Sequence, residues 1–441
     1  MKKRVERIMP IEDGQKPGRV RGHSGLRSIE ELNRAIAQNP RDVIAYCDRG
    51  NVHIQNGNLK SALDDFNRAI EFEPRMACAY GGRAAVYLEV NDYARALADY
   101  TKAIKLEPDI PVSYYNRGQV YLVQSRYTQA IADFNCALDI DPYHAETYYV
   151  RGKAYHNIGD FDHALADYSR AVELQPERGT WYYYRALVYH AKGEADNALA
   201  DYTQALALGE ADEHVYCNRG INYLHRALKD KRTETMDDAL ADFNRALEFD
   251  PKYARVYTKR AIAYLFIADY DRALADCNRA VEIGSELGVA HINRGAVFFY
   301  KEEYENAIKD YDQAEKLGMG RASLFYNRGI SHYYTGNYDR AFIDFGLVLK
   351  AKQYEAFAHN WRGLAYLKKE DYDHALADFD EAVRLVPDFV TGYQNRVLAY
   401  SKIIEKYNAL AAADRLAIAN SGEGITHNGQ RAVLDEWENG E

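Results

Sequence analysis

The stretch PVSYYNRGQVYLVQSRYTQAIADFNCALDIDP, residues 111–142, decides the fold. Its first half sets a charge, Arg117, among residues suited to a helix–helix interface, and follows it with the small Gly118. Its second half spaces Ala130, Phe134 and Ala137 by four and three, which puts all three on one stripe of a helix. Pro142 closes the stretch, because proline cannot continue the preceding helix and is tolerated near the start of the next.

The same signature returns every 34 residues, as Arg49, Arg83, Arg117, Arg151, Arg185 and Arg219. After a single step of 41 it continues as Arg260, Arg294, Arg328, Arg362 and Arg396. Alanine keeps step at Ala62, Ala96, Ala130, Ala164 and Ala198, and resumes from Ala239 to Ala375. An aromatic column accompanies it, including Phe66, Tyr100, Phe134, Tyr168, Tyr202, Phe243, Tyr311, Phe345 and Phe379. A fixed period of this length marks an array of stacked supersecondary units, which grows in one dimension without separate cores.

This pattern resembles the tetratricopeptide repeat, in the small residue after the arginine, the paired alanines and the closing proline. The resemblance implies an all-α fold, a right-handed α-solenoid superhelix of tandem helix-turn-helix units. Within residues 111–142, PVSYYNRGQVYLVQ reads as the first helix of a unit and SRYTQAIADFNCAL as the second. The expected organisation is a basic N-terminal tail at 1–27, an array at 28–417 and an acidic C-terminal tail at 418–441. Inside the array a half repeat at 28–40 leads in, ten repeats occupy about 41–387, and a degenerate capping repeat with a degraded second helix fills 388–417. The extra residues in LHRALKDKRTETMDDALAD lengthen the first helix of the sixth unit or its turn.

The family places an apolar residue where this chain places its arginine, and a second column compensates. An aspartate stands sixteen residues after most of these arginines: Asp65, Asp99, Asp133, Asp167, Asp201, Asp276, Asp310, Asp344 and Asp378. Across the insertion the gap is 23, giving Asp242, whereas Arg396 meets Ala412. The expected arrangement is a ladder of partly buried pairs such as Arg117–Asp133, Arg151–Asp167 and Arg328–Asp344. It joins the two helices of a unit, or one unit to the next. Arginine suits the task because its planar fork satisfies a carboxylate with two hydrogen bonds while its stem packs on apolar surface.

Resemblance to the family implies that the first helices line a groove, through the residues one and two before the arginine and those two, five and six after it. Those positions hold Tyr115, Asn116, Tyr149, Tyr183, Asn218, Asn293, Tyr326, Asn327 and Tyr333, the candidate residues for gripping a protein or extended peptide ligand. Tyrosine offers broad apolar contact with a polar tip, and an amide reads main chain because it donates and accepts at once. The alternative for the asparagines is bridging between neighbouring helices. Phe299, Tyr300, Tyr333 and Tyr334 form a second, aromatic patch. A two-carboxylate clamp of the kind used by chaperone-binding relatives is not formed, since Cys47 and Gly82 stand where lysine and asparagine are needed. His156 and His190 recur at equivalent positions without a carboxylate or cysteine at the same spacing, so they read as polar lining and not as a metal site.

Composition narrows the function further. The 441 residues carry a formal net charge of -10, which argues against nucleic acid as the partner. Five cysteines are dispersed without a C-x-x-C motif, which suits a reducing compartment, and no long apolar run suggests a membrane span. No phosphate-binding loop, nucleophile–base pair or ligand set calls for a cofactor. The sequence therefore reads as a cytoplasmic, non-catalytic interaction scaffold. The alternative is a self-associating homo-oligomer that uses the array's ends or its convex face.

Overall fold

Each segment carrying the alanine–aromatic–alanine stripe is helical in the computed structural model, which describes residues 27–230, 234–284 and 288–420. The described residues form 22 helices and no strand. By packing, the chain divides into two units, one through Phe249 and one from Asp250. The first opens with α1 (Ile29–Gln38), whose start is sealed by a reciprocal box between Ser28 and Glu31. Six helix pairs follow: α2 (Val43–Gln55) with α3 (Leu59–Phe72), α4 (Ala77–Glu89) with α5 (Tyr93–Leu106), and α6 (Pro111–Val123) with α7 (Tyr127–Ile140). Next come α8 (Ala145–Ile158) with α9 (Phe161–Leu174), α10 (Gly179–Ala191) with α11 (Ala195–Ala207), and α12 (Glu213–Asp230) with α13 (Glu234–Phe249). The second unit holds α14 (Ala254–Phe266) with α15 (Tyr270–Ile283), and α16 (Gly288–Tyr300) with α17 (Tyr304–Lys316). It ends with α18 (Ala322–Tyr334) paired to α19 (Tyr338–Lys350), α20 (Glu355–Lys368) paired to α21 (Tyr372–Leu385), and a final α22 (Val390–Asn420).

In every pair except α12–α13 the turn uses one residue in the left-handed conformation, eight positions after the arginine. It is glycine at Gly57, Gly159, Gly193 and Gly336, but Asn91, Ser125, Ala268, Glu302 and Glu370 adopt it too. Asp92, Asp160, Asp269 and Asp371 then cap the second helix by accepting from a backbone N–H three residues on.

Packing follows from the stripe. Ala130 and Phe134 of α7 are fully buried, and a methyl built on Gly118 of α6 would lie 2.6 Å from the Phe134 ring. Glycine there lets the ring sit directly on the helix backbone, whereas Ala84 and Ala186 at the equivalent place seat Tyr100 and Tyr202 against a methyl. Phe66 is gripped twice, with the corresponding distances 2.8 Å for Gly50 of α2 and 2.3 Å for Gly82 of α4.

Layering is uneven in both units. The first helix of each pair touches the first helix of the next pair, while the second helices make no contact with one another. Within each unit the first helices therefore form the inner layer.

Two departures from the sequence reading have physical causes. The insertion lengthens both helices of its pair, to 18 residues in α12 and 16 in α13, against 13 or 14 in the other pairs. All the added length lies between Arg219 and Asp242, so that pair keeps its geometry. The capping repeat does not divide into a first helix and a degraded second one: α22 runs unbroken for 31 residues. Neither proline nor glycine interrupts it after Gly392, and YSKIIEKYNALAAADRLAIAN is rich in strong helix formers. Residues 1–26 and 421–441, where the basic and acidic tails fall, lie outside the described residues.

Candidate peptide-binding groove

The charged columns meet inside the array. Arg117 donates from Nε and Nη2 to both carboxylate oxygens of Asp133, each at 2.7 Å. Arg151 does the same to Asp167 at 2.8 and 2.7 Å, and Arg328 to Asp344 at 2.9 and 2.7 Å. Equivalent forks join Arg49, Arg83, Arg185, Arg219, Arg260, Arg294 and Arg362 to their aspartates.

The third arm of the guanidinium reaches elsewhere. Nη1 of Arg117 donates to Thr101 and that of Arg151 to Asn135, on the second helix of the preceding pair. Asn33, Asn67, Ser169, Thr203, Asn278 and Asp312 accept likewise, always sixteen residues before the arginine. Each such arginine thus staples its own pair to the pair before it. Arg396, which has no aspartate ahead of it, keeps the backward bond to Asp380. Arg362 lacks it, because Gly346 occupies the place where an acceptor stands elsewhere, and bonds to Asp378 alone.

Electrostatics in these pairs is a contest between burial and partner. The Asp133 carboxylate raises the Arg117 pKa against the lowering effect of burial. Burial pushes the Asp344 carboxyl up, against the pull of Arg328. At Asp378 the same burial is outweighed by hydrogen bonds from Arg362 and His359, which hold the carboxyl below its ordinary value. His332, buried on α18, is pushed down to about 4 by burial, and the Arg328 charge adds to the effect.

The groove candidates divide into three groups. Tyr115, on the inner layer, meets His144 edge-on with ring centroids 5.3 Å apart. Tyr183 accepts a hydrogen bond from Asn218 Nδ2 at 3.3 Å, Tyr326 stacks on the exposed Tyr354 at 5.6 Å, and Tyr333 packs against Trp361 at 5.4 Å. Asn327 stands on the same layer, half-buried. Tyr149 is withdrawn from the surface: it is buried between Trp181, Tyr168 and Tyr184, so it packs the core and does not face a ligand. Several asparagines bridge helices. Besides the Asn218 contact, Asn293 donates to the Thr258 carbonyl at 3.1 Å and Asn395 to Asn360 Oδ1 at 2.8 Å. The register of 35 residues places each amide beside the neighbouring first helix, and that explains the bridging. Asn116 makes no such bond and lies buried at the floor of the first unit's inner layer.

The aromatic patch of the second unit is larger than the sequence suggested. Tyr300 stacks on Tyr270 and meets Phe299, which touches Tyr304, and Tyr304 stacks on Tyr334 at 4.6 Å. Tyr300 and Tyr334 remain more than half exposed. In the first unit, His190 stacks on His225 at 5.7 Å and shares a hydrogen bond with Asn222. No group of three His, Cys, Asp or Glu side chains among the described residues is placed to hold a metal ion. No helix there is long and apolar enough to cross a membrane.

Tetratricopeptide-repeat models match residues 43–76, 82–145, 145–178 and 356–389. A search of curated proteins finds no match. Among solved structures, YrrB, a tetratricopeptide-repeat protein with an unusual peptide-binding site, is 23% identical; the alignment covers 42% of this chain and 94% of that one, with a TM-score of 0.37. The Cut9–Hcn1 hetero-tetramer of the APC/C is 13% identical over 84% of this chain and 92% of that one, at a TM-score of 0.48. A tetratricopeptide repeat protein from Parabacteroides merdae is 20% identical over 58% and 98% of the two chains, at 0.44. Family models match in both halves, and one helix pair repeats through the described residues, so this chain carries tetratricopeptide repeats.

Proposed function

We propose that the protein is a non-catalytic scaffold whose inner layer of first helices holds extended peptide or protein segments. One observation carries this reading. The recurrent charges are consumed within the array as bidentate pairs, while the residues that vary along the inner layer are amphipathic tyrosines and amides. Such residues give broad contact at low entropic cost and hydrogen-bond a main chain without demanding one side chain. Tyr115, Asn116, Tyr183, Asn327 and Tyr333 are the contacts we assign. The five thiols, none of them in a disulfide, suit a reducing, cytoplasmic setting. A peptide array probed with the wild-type chain and with a Tyr115→Ala/Asn116→Ala/Tyr183→Ala variant tests the assignment. We expect at least a ten-fold loss of affinity for the captured peptides, about 1.4 kcal/mol or more, with an unchanged helical circular dichroism spectrum. Undiminished binding by the variant refutes it.

Self-association through the array's end is a second reading, favoured by α22. Val397, Ile404, Tyr407 and Leu410 are between 52% and 67% exposed on a helix that, among the described residues, packs against α20 and α21 alone. Contiguous exposed apolar surface of this kind marks an association site. Light scattering across a concentration series should then show the mass rising from one copy to two, and Ile404→Glu/Tyr407→Glu should hold it at one. A wild-type mass that stays at one copy at every concentration rejects self-association.

A further inference from the structure

The arginine of α4, Arg83, is preceded by two glycines that look alike in sequence and differ in space. Gly82 is required by packing, since a methyl there would collide with Phe66 at 2.3 Å. Gly81 is required by nothing of the kind. A methyl built on it meets no atom within 4 Å, and its backbone is ordinary helix. Glycine weakens a helix interior, so a position where any side chain fits is an unexpected place for one. The equivalent positions in the next three pairs are Tyr115, Tyr149 and Tyr183.

Over Gly81 lies a cleft of about 50 Å³ between α2, α4 and α6. Its apolar lining includes Ile54, Ala77, Gly81, Ala85, Ile110 and Val112, and the buried Tyr100, Ser113 and Asn116 border it as well. Tyr100, entering from α5, is 1% exposed, and its hydroxyl has no hydrogen-bond partner. Asn116 is 5% exposed and bonds to no protein group. A buried hydroxyl without a partner is costly. Tyr168 carries a similar orphan, but there the Tyr149 and Tyr184 rings cover the equivalent space. Over Gly81 no ring does so.

We infer that this cleft seats one short aliphatic side chain of an extended peptide, whose main-chain carbonyl accepts from the Asn116 amide. The size sets the class. The cleft has about a third of the roughly 150 Å³ that admits a benzene ring, so a valine-sized group enters and an aromatic one does not. Glu107, on the rim, disfavours an acidic residue beside it. This inference rests on the groove-binding reading and names one of its anchor points.

The probe is N-acetyl-valine methylamide, followed by methyl-resolved NMR at Ile54, Ile110 and Ala85 of the full chain. Saturable shifts at these three methyls are expected, and N-acetyl-phenylalanine and N-acetyl-aspartate methylamides should leave them in place. Gly81→Leu fills the cleft and should weaken the valine probe at least ten-fold while leaving the melting midpoint unchanged or raised. Asn116→Ala removes the amide donor and should weaken the probe several-fold. Methyls that do not move, or that move equally in the wild type and both variants, overturn the inference. If peptides captured on an array still depend on Tyr115 and Tyr183 while these methyls stay silent, the cleft fails and the groove reading stands.

Discussion

Asp167→Leu alone should be among the most damaging single substitutions in the chain, lowering stability by about 3–5 kcal/mol. It leaves the Arg151 guanidinium, only 18% exposed, without the carboxylate that holds two of its arms. Adding Arg151→Leu should recover much of the loss, because the stranded charge is removed and both leucines extend the apolar cluster of Phe134, Tyr168 and Trp181. Asn135 then loses its donor, but it lies near the surface and is hydrated at little cost. Urea midpoints of the wild type, both single variants and the double variant give the coupling. Losses that simply add would show that the two side chains do not act as a pair. In a repeat array the damage is expected to be local, so hydrogen exchange should rise first in α8 and α9 and in their neighbours α7 and α10.

Phe66→Ala should cost a similar amount, about 3–5 kcal/mol, for a different reason. The ring is fully buried and fills the notch made by Gly50 on one helix and Gly82 on the next, so truncation opens a cavity that rigid helix backbones cannot close. The reverse error is milder. Gly82→Ala forces the ring aside and should cost about 1–3 kcal/mol. The two volumes are complementary, so Phe66→Leu combined with Gly82→Ala should be less destabilising than the sum of the separate changes. Thermal melts of the four proteins decide this, and strict additivity would mean that ring and glycine are not in contact.

These two results bear on what the sequence discloses. The repeat, its helix pairs and the arginine–aspartate columns are legible because each recurs with an invariant residue type at an invariant spacing. The backward bond of the arginine was not, since its acceptors vary among Asn33, Thr101, Ser169 and Asp312 and share only polarity. The groove was harder still. Asn218 and Asn293 carry the residue type expected of a peptide reader, but the step of 35 residues sets each beside a neighbouring helix that satisfies it first. Tyr149 lies in the right column and is nonetheless buried, because Trp181 of α10 covers it. Gly81 shows the opposite case. Sequence gives it the same letter as Gly82, and only the position of Phe66 tells a necessary glycine from a dispensable one.

The missing acceptor at Gly346 has a mechanical consequence. Where each guanidinium rivets one helix pair to the last, tension along the unit is shared by a directional bond as well as by contact between apolar surfaces. Between α19 and α20 that rivet is absent, which leaves apolar packing and the ion pair from Lys369 to the exposed Asp339 to resist sliding. That joint is held by one directional bond fewer than the others of the second unit, so flexing is expected to concentrate there.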